Sequence, residues 1–382
     1  MDKTNNIIRW LLTTLVTWKV VLLAVAAYAI QTIPFKASFP YWETVLAPQG
    51  HPLYWSWGNF DGVHYLTIAK DGYIAQFTQA FFPVFPLLMR YLAQLSMSLL
   101  SAGLIIAHAC WIISFWLFYK LIRIDRGEAT ARRSLVYLLL FPTAFFFTAL
   151  YSESLFLALI LGTFYAARRR KWWLAGLLGT VASATRVFGI FLLPALLVEW
   201  YEGRGKKAVY TPLELVSAIL PIVLIASGLF LYMYYLKKTF DDPLMFLTSQ
   251  PAFGAQRSAD KLILLYQVFW RYAKMITTVN PNSLLFLTIV EEAVSGIVFL
   301  LLSIIAFKKV RVSYALFGAL SYIAPTLTGT LSSLPRYALI LFPCFMVLGM
   351  VKNRRFQRLW WLISVILLAV NTALFVRGYW VA

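Results

Sequence analysis

The sequence predicts an all-α membrane protein that crosses the bilayer repeatedly, a bundle of about eleven transmembrane helices with a long first external loop carrying interfacial helices. Three observations predict it. Of the 382 residues, 61% are hydrophobic and only 13% charged, which leaves too few polar side chains to clothe soluble domains of ordinary size. Apolar runs of about 20 residues, enough to cross a hydrocarbon core of about 30 Å as helix, recur along the chain without the alternation of barrel strands. The basic residues behind the net charge of +19 gather in short loops between these runs. The whole chain, 1–382, therefore reads as a single transmembrane domain.

The charge clusters set the topology. They are Lys120, Arg123, Arg126, Arg132 and Arg133; Arg168 to Lys171; Arg204, Lys206 and Lys207; Lys308, Lys309 and Arg311; and Lys352, Arg354, Arg355 and Arg358. Placing all of them and the N-terminus in the cytoplasm satisfies the positive-inside rule at each one. The charge is then topological, and no nucleic-acid partner is expected. Residues 31–79 and 236–282 become the external loops.

The first run, Ile7 to Ile30, has Asp2, Lys3 and Arg9 ahead of it and no small-residue cleavage site behind it, so it reads as a retained span. The loop from Gln31 to about Gln79 is rich in Trp, Tyr, Gly and Pro. Phe81 to Leu100 cannot be a full span beside Leu104 to Leu121 without putting Arg123 to Arg133 outside; it reads as an interfacial or re-entrant helix broken by Pro83 and Pro86. Short hairpins follow, up to about Leu150, down to about Ala167, up from Trp172 to about Ala184 and down to Val198. A longer helix runs from about Leu213 to Tyr235, and the second external loop contains an amphipathic stretch, Leu262 to Ile276. Spans centred near Val298, Ala319, Phe345 and Ile366 end the chain, with Val376 to Ala382 outside. Trp172, Trp173, Trp360 and Trp361 each follow a basic cluster, as interface anchors do.

Several classes are excluded. There is no fixed-period repeat, no inverted similarity of the transporter kind, no P-loop and no GxGxxG before a strand. His51, His64 and His108 and the scattered carboxylates lack the spacing of zinc ligands, so neither a metal nor any other cofactor is expected. Cys110 and Cys344 lie within apolar runs and read as small hydrophobes.

Polar residues gather at the external helix ends, most densely in Trp55-Ser-Trp-Gly-Asn-Phe-Asp-Gly-Val-His-Tyr65. Asp61 has an aromatic neighbour that partly excludes water and a glycine that lets the backbone bend. If the segment is helical, His64 shares its side. The same residues also fit a surface loop with Asp61 as a helix N-cap. At the same level lie Tyr151-Ser-Glu153-Ser, Thr185-Arg186, Asp241-Asp242-Pro243 and Pro335-Arg336-Tyr337. Arg186 and Arg336 could be snorkelling anchors, or together a site for phosphate. Lys19, inside the first span, requires a partner that the sequence does not name.

These residues carry a resemblance. Trp57-Gly-Asn-Phe-Asp61-Gly-Val-His-Tyr65, Gly72-Tyr73 and Phe81-Phe-Pro-Val-Phe-Pro-Leu-Leu88 resemble the start of the PIG-V-like mannosyltransferases. So do Phe141 to Leu155, Ala184-Thr-Arg186, Asp242-Pro-Leu-Met-Phe246, Pro335-Arg-Tyr337 and Phe375 to Trp380, in order along nearly the whole chain. The resemblance implies a glycosyltransferase of the GT-C class that draws on a sugar carried by polyprenyl or dolichyl phosphate, with an essential acidic residue in the first external loop. Asp61 matches that residue; where the family usually has Trp before it, Phe60 stands here, with Trp57 nearby. The chain looks like a bacterial or archaeal member acting outside the cell membrane on a lipid-linked or glycan acceptor.

Physical argument leads to the same expectations. An external site has no access to cytosolic nucleotide sugars, so the donor must arrive on a lipid. A phosphate leaving group requires cations, here Arg186 and Arg336, and the acceptor hydroxyl requires a base, here Asp61. His64, Tyr65, Glu153 and Asp242 would bind sugar or acceptor. The rival class is a lipid or glycolipid transporter, which would need polar groups leading to both faces; here they collect at one.

Overall fold

A computed structural model describes residues 3–36, 38–203 and 211–381 of the chain. The basic cluster Arg204, Lys206 and Lys207, together with Asp2 and Ala382, lies outside the described residues. All regular structure among the described residues is helical. Among them, five helices are long and apolar enough to cross a membrane: Asn5–Thr32, Leu99–Arg126, Pro212–Phe240, Leu284–Lys309 and Arg354–Val376. Local signals mark several of their ends. Ser98, Thr211, Ser283 and Asn353 each accept a backbone N–H of the first turn, and Thr211 forms a full capping box with Glu214. Arg123 and Arg126, and Lys308 and Lys309, close the last turns of two of them, where the helix dipole favours cations. Large apolar side chains stay exposed along these helices, Val16 at 61% and Leu362 at 59% among them. That is a face made for lipid rather than water.

The other helices are shorter. Glu128–Leu139, Trp172–Ser183 and Leu192–Gly203 have 12 residues each, and Glu153–Arg168 has 16. At about 1.5 Å per residue a 12-residue helix reaches only about 18 Å. Buried irregular backbone extends them: the 3-10 turns Ala144–Thr148, Val187–Phe191 and Ala338–Ile340. Such backbone is tolerated at membrane depth only inside protein.

Three sequence expectations change. The segment around Pro83 and Pro86 is not broken, because helix Val84–Ala93 starts after Pro83 and holds Pro86 in its first turn, where no N–H is needed. The expected long helix Leu213 to Tyr235 is present within Pro212–Phe240 but is not uninterrupted: a one-residue turn at Leu224 separates Pro212–Val223 from Ile225–Phe240, after Pro221 removes a backbone donor. The expected span near Phe345 consists of helix Leu334–Tyr337, the 3-10 turn Ala338–Ile340 and helix Phe342–Met350.

The chain forms two compact units. The first comprises Met1–Gly72, Phe85–Ala158 and Val351–Val381. In it the first long helix packs against the last, and Leu99–Arg126 packs against Glu128–Leu139. Tyr137 packs against Trp360 and Trp361, which therefore serve the core as well as a possible interface. Lys19 finds its partners here: Nζ lies 3.8 Å from the centroid of the Trp57 ring and donates to Thr148 Oγ1 at 3.1 Å.

The second unit comprises Tyr73–Val84 and Leu159–Met350. Gly176, Gly179 and Gly228 let helix Trp172–Ser183 approach the helices on either side of Leu224; a Cβ on Gly228 would lie 2.1 Å from Thr180 O. At the break, Thr180 Oγ1 donates to Leu224 O at 2.9 Å and Ser183 Oγ to Ile225 O at 2.5 Å, so hydroxyls satisfy backbone carbonyls there. At another end of the unit, the buried Glu199 receives Arg168 at 3.4 Å and Arg311 at 2.9 Å. Two of the basic clusters thus meet on one carboxylate.

Candidate functional site

Within the first unit, the site is built around a strained residue. Phe60 adopts φ 59 and ψ −115 at the N-cap of helix Asp61–Asp71, a conformation costly for a side chain other than glycine. Several contacts hold it. Tyr151 OH donates to Asn59 O at 3.0 Å and accepts from Asp61 N at 3.3 Å, bridging the kink from both sides. Asn59 Nδ2 donates to Phe375 O at 2.8 Å. The Phe60 ring lies among Phe39, Phe375 and Trp380, with centroids 4.6, 5.9 and 5.6 Å away.

Asp61 is the first residue of the helix, and the cap position belongs to Phe60, which makes no side-chain capping bond. The expectation of a bend at Gly62 is also replaced: the bend is at Phe60, and Gly62 instead makes room for Leu150, whose Cβ would lie 3.4 Å from a Cβ there. Asp61 and Glu153 both occupy the first turn of a helix, where N–H groups converge on an anion.

His64 follows one turn after Asp61, as the spacing predicts. Burial pushes its pKa below the ordinary value, and the negative charge of Asp61 acts against that shift. Tyr65 OH and Ser152 Oγ share a hydrogen bond of 3.0 Å, and the next residue is the buried Glu153. Helix Asp61–Asp71, which carries Asp61, His64 and Tyr65, is thus joined to the 151–153 segment, which carries Glu153, through Asp61 N and Tyr65 OH.

Within the second unit, Arg186 and Arg336 converge on one ring. The Cζ of Arg186 lies 5.5 Å from the centroid of Tyr337, and that of Arg336 lies 5.4 Å from it. Phe188 supports the ring from 5.5 Å. Arg186 stands in extended conformation just before the 3-10 turn Val187–Phe191, and Arg336 is buried in the short helix Leu334–Tyr337. Guanidiniums around an aromatic face suit an oxyanion such as phosphate.

Asp242 belongs to a different arrangement. Its carboxylate accepts from Leu244 N and Thr248 Oγ1, each at 2.8 Å, which closes the start of the short helix Met245–Thr248. Among the described residues no group of three or more His, Cys, Asp or Glu side chains could hold a metal ion.

Sequence reasoning missed two residues that the structure places at these clusters, Tyr151 and Tyr337. Both stood inside quoted motifs without a role, because their partners are distant in sequence.

Helices with lipid-facing sides, irregular backbone buried at their ends and polar clusters there define an integral, multi-pass membrane protein. The chain belongs to the PIG-V mannosyltransferase family, whose description, Mannosyltransferase (PIG-V), matches residues 6–245. It is similar to GPI alpha-1,6-mannosyltransferase 2 of Mus musculus, 30% identical over 200 residues that make up 47% of this chain and 40% of that protein. The Rattus norvegicus protein of the same name is 28% identical over 196 residues, 46% of this chain and 39% of that one. The match thus spans about two-fifths of the length of these relatives. No solved structure matches.

Proposed function

We propose that the protein is a mannosyltransferase that moves a sugar from a polyprenyl- or dolichyl-phosphate donor to a lipid-linked or glycan acceptor. The similarity to GPI mannosyltransferases favours a glycolipid acceptor. The observation that carries the reading is Asp61, held on a strained turn by the hydroxyl of Tyr151 within a chain of this family. The acceptor oxygen attacks the anomeric carbon while Asp61 takes its proton. The bond from that carbon to the phosphate oxygen breaks, and the phosphate leaves with the electron pair. One displacement inverts the anomeric centre. Arg186 and Arg336 stabilise the phosphate, and His64, Tyr65 and Glu153 bind sugar hydroxyls. Asp242 holds the nearby turn and binds sugar or acceptor from there. The reaction takes place on the non-cytoplasmic face of a chain with about eleven crossings, its loops 31–79 and 236–282 outside.

The test is transfer of radiolabelled mannose from polyprenyl-phosphate mannose by purified protein. Asp61→Asn keeps the side-chain size and should lower turnover by about 100- to 10,000-fold while leaving donor binding near normal. Transfer at the parent rate by the Asn variant would remove Asp61 as the base. No transfer by the parent protein with any glycolipid acceptor would return the transporter reading to consideration.

A further inference from the structure

Glu292 lies in the apolar helix Leu284–Lys309 and is only 5% exposed. A carboxylate in that setting requires strong partners. Tyr272 OH donates to Glu292 Oε2 at 2.5 Å. The charge of Arg257 and the polar groups of Ser332 and Ser333 also act on the carboxylate.

All these partners lead to one turn. The Tyr272 hydroxyl accepts from Leu331 N at 3.2 Å and meets Thr330 Oγ1 at 3.2 Å. Arg257 Nη2 donates to Ser333 Oγ at 3.4 Å, and Arg271 Nη1 donates to Gly329 O at 3.0 Å. Ser333 has φ 63 and forms the N-cap of helix Leu334–Tyr337, the helix that carries Arg336. A non-glycine residue in that conformation persists where its surroundings over-determine it. Here the surroundings are the guanidinium of Arg257 on its hydroxyl and the Tyr272–Glu292 pair that holds Leu331 N two residues earlier. The N–H of Leu331 thus ends on the Tyr272 hydroxyl, which in turn donates to Glu292.

We infer that Glu292, acting through Tyr272 and the 330–333 turn, is a positioning residue that fixes the direction in which Arg336 presents its guanidinium to the donor phosphate. The inference rests on Arg336 as a phosphate-binding residue. Loss of the charge at Glu292 weakens the bond that orients the Tyr272 hydroxyl, the acceptor of the Leu331 N–H, and Arg336, three residues beyond Ser333, loses its fixed base.

The test is a double-mutant cycle on the purified full chain, with polyprenyl monophosphate as the probe and its binding measured by titration. Arg336→Gln and Glu292→Gln should each weaken binding about tenfold, and the double variant should bind no more weakly than Arg336→Gln alone. Losses that multiply in the double variant would show a general structural role and overturn the inference. So would unchanged binding by Glu292→Gln while Arg336→Gln is impaired. Unchanged binding by Arg336→Gln is a separate pattern: it would remove the phosphate assignment and the role of Glu292 with it. Should Glu292→Gln fail to insert, Tyr272→Phe, which deletes only the bridging hydroxyl, takes its place in the cycle under the same criteria.

Discussion

Phe60 concentrates the argument at the residue scale. Its backbone conformation costs about 1 to 3 kcal/mol, and the Tyr151 hydroxyl touches the residues on both sides of it. Strain held by so many contacts fixes where Asp61 begins its helix. Tyr151→Phe should therefore lower turnover, because Asp61 is then less constrained, while leaving insertion and the aromatic cage intact. The measurement is turnover beside the thermal unfolding midpoint in detergent. Parent-like turnover would show that the bridge does not serve Asp61. Asp61 and His64 were legible as a pair from their spacing, since helical neighbours follow from local sequence. Tyr151 was not, because its bond to Asp61 joins residues 90 apart. Lys19 taught the same lesson: sequence showed that it needed a partner, and only packing showed that the partners were a tryptophan ring and a threonine hydroxyl.

At the scale of the element, apolar runs and caps made most helices legible, whereas their interruptions depended on chemistry that patterning misses. Hydropathy remains high through Leu224 and gives no sign of a break, but Pro221 removes a donor and Gly228 allows a neighbour to approach. Thr180 and Ser183 then donate to Leu224 O and Ile225 O, so the break is a feature with its own partners. Thr180→Val together with Ser183→Ala removes one hydroxyl donor from each carbonyl and should destabilise the protein by about 1 to 3 kcal/mol in all, Leu224 O keeping the N–H and hydroxyl of Ser227. Thermal unfolding in detergent should show a lower midpoint, and an unchanged midpoint would mean that the two hydroxyls do not stabilise the break. Pro86 is the contrasting case: a proline read as a breaker sits harmlessly in a first turn. Position within the helix, which sequence fixes only to within a few residues, decides between the two outcomes.

At the scale of the whole molecule, the second unit separates two kinds of basic residue. Arg168 and Arg311 meet at Glu199, and each stands just before a helix, Trp172–Ser183 or Val312–Thr326. Arg186 and Arg336 come after those same helices, so the arginines around Tyr337 and the arginines on Glu199 belong to opposite helix ends. If the Glu199 end is cytoplasmic, as the positive-inside rule requires, the candidate phosphate site is external and a lipid-borne donor follows from its location. Single-cysteine labelling tests this in a background with Cys110 and Cys344 replaced by Ala. Gln76→Cys, at an exposed position, should react with a membrane-impermeant maleimide in intact cells. Arg169→Cys, also exposed, should react only after permeabilisation. The reverse pattern would place residues 31–79 in the cytoplasm, give the site access to nucleotide sugars, and remove the physical reason for a polyprenyl-phosphate donor.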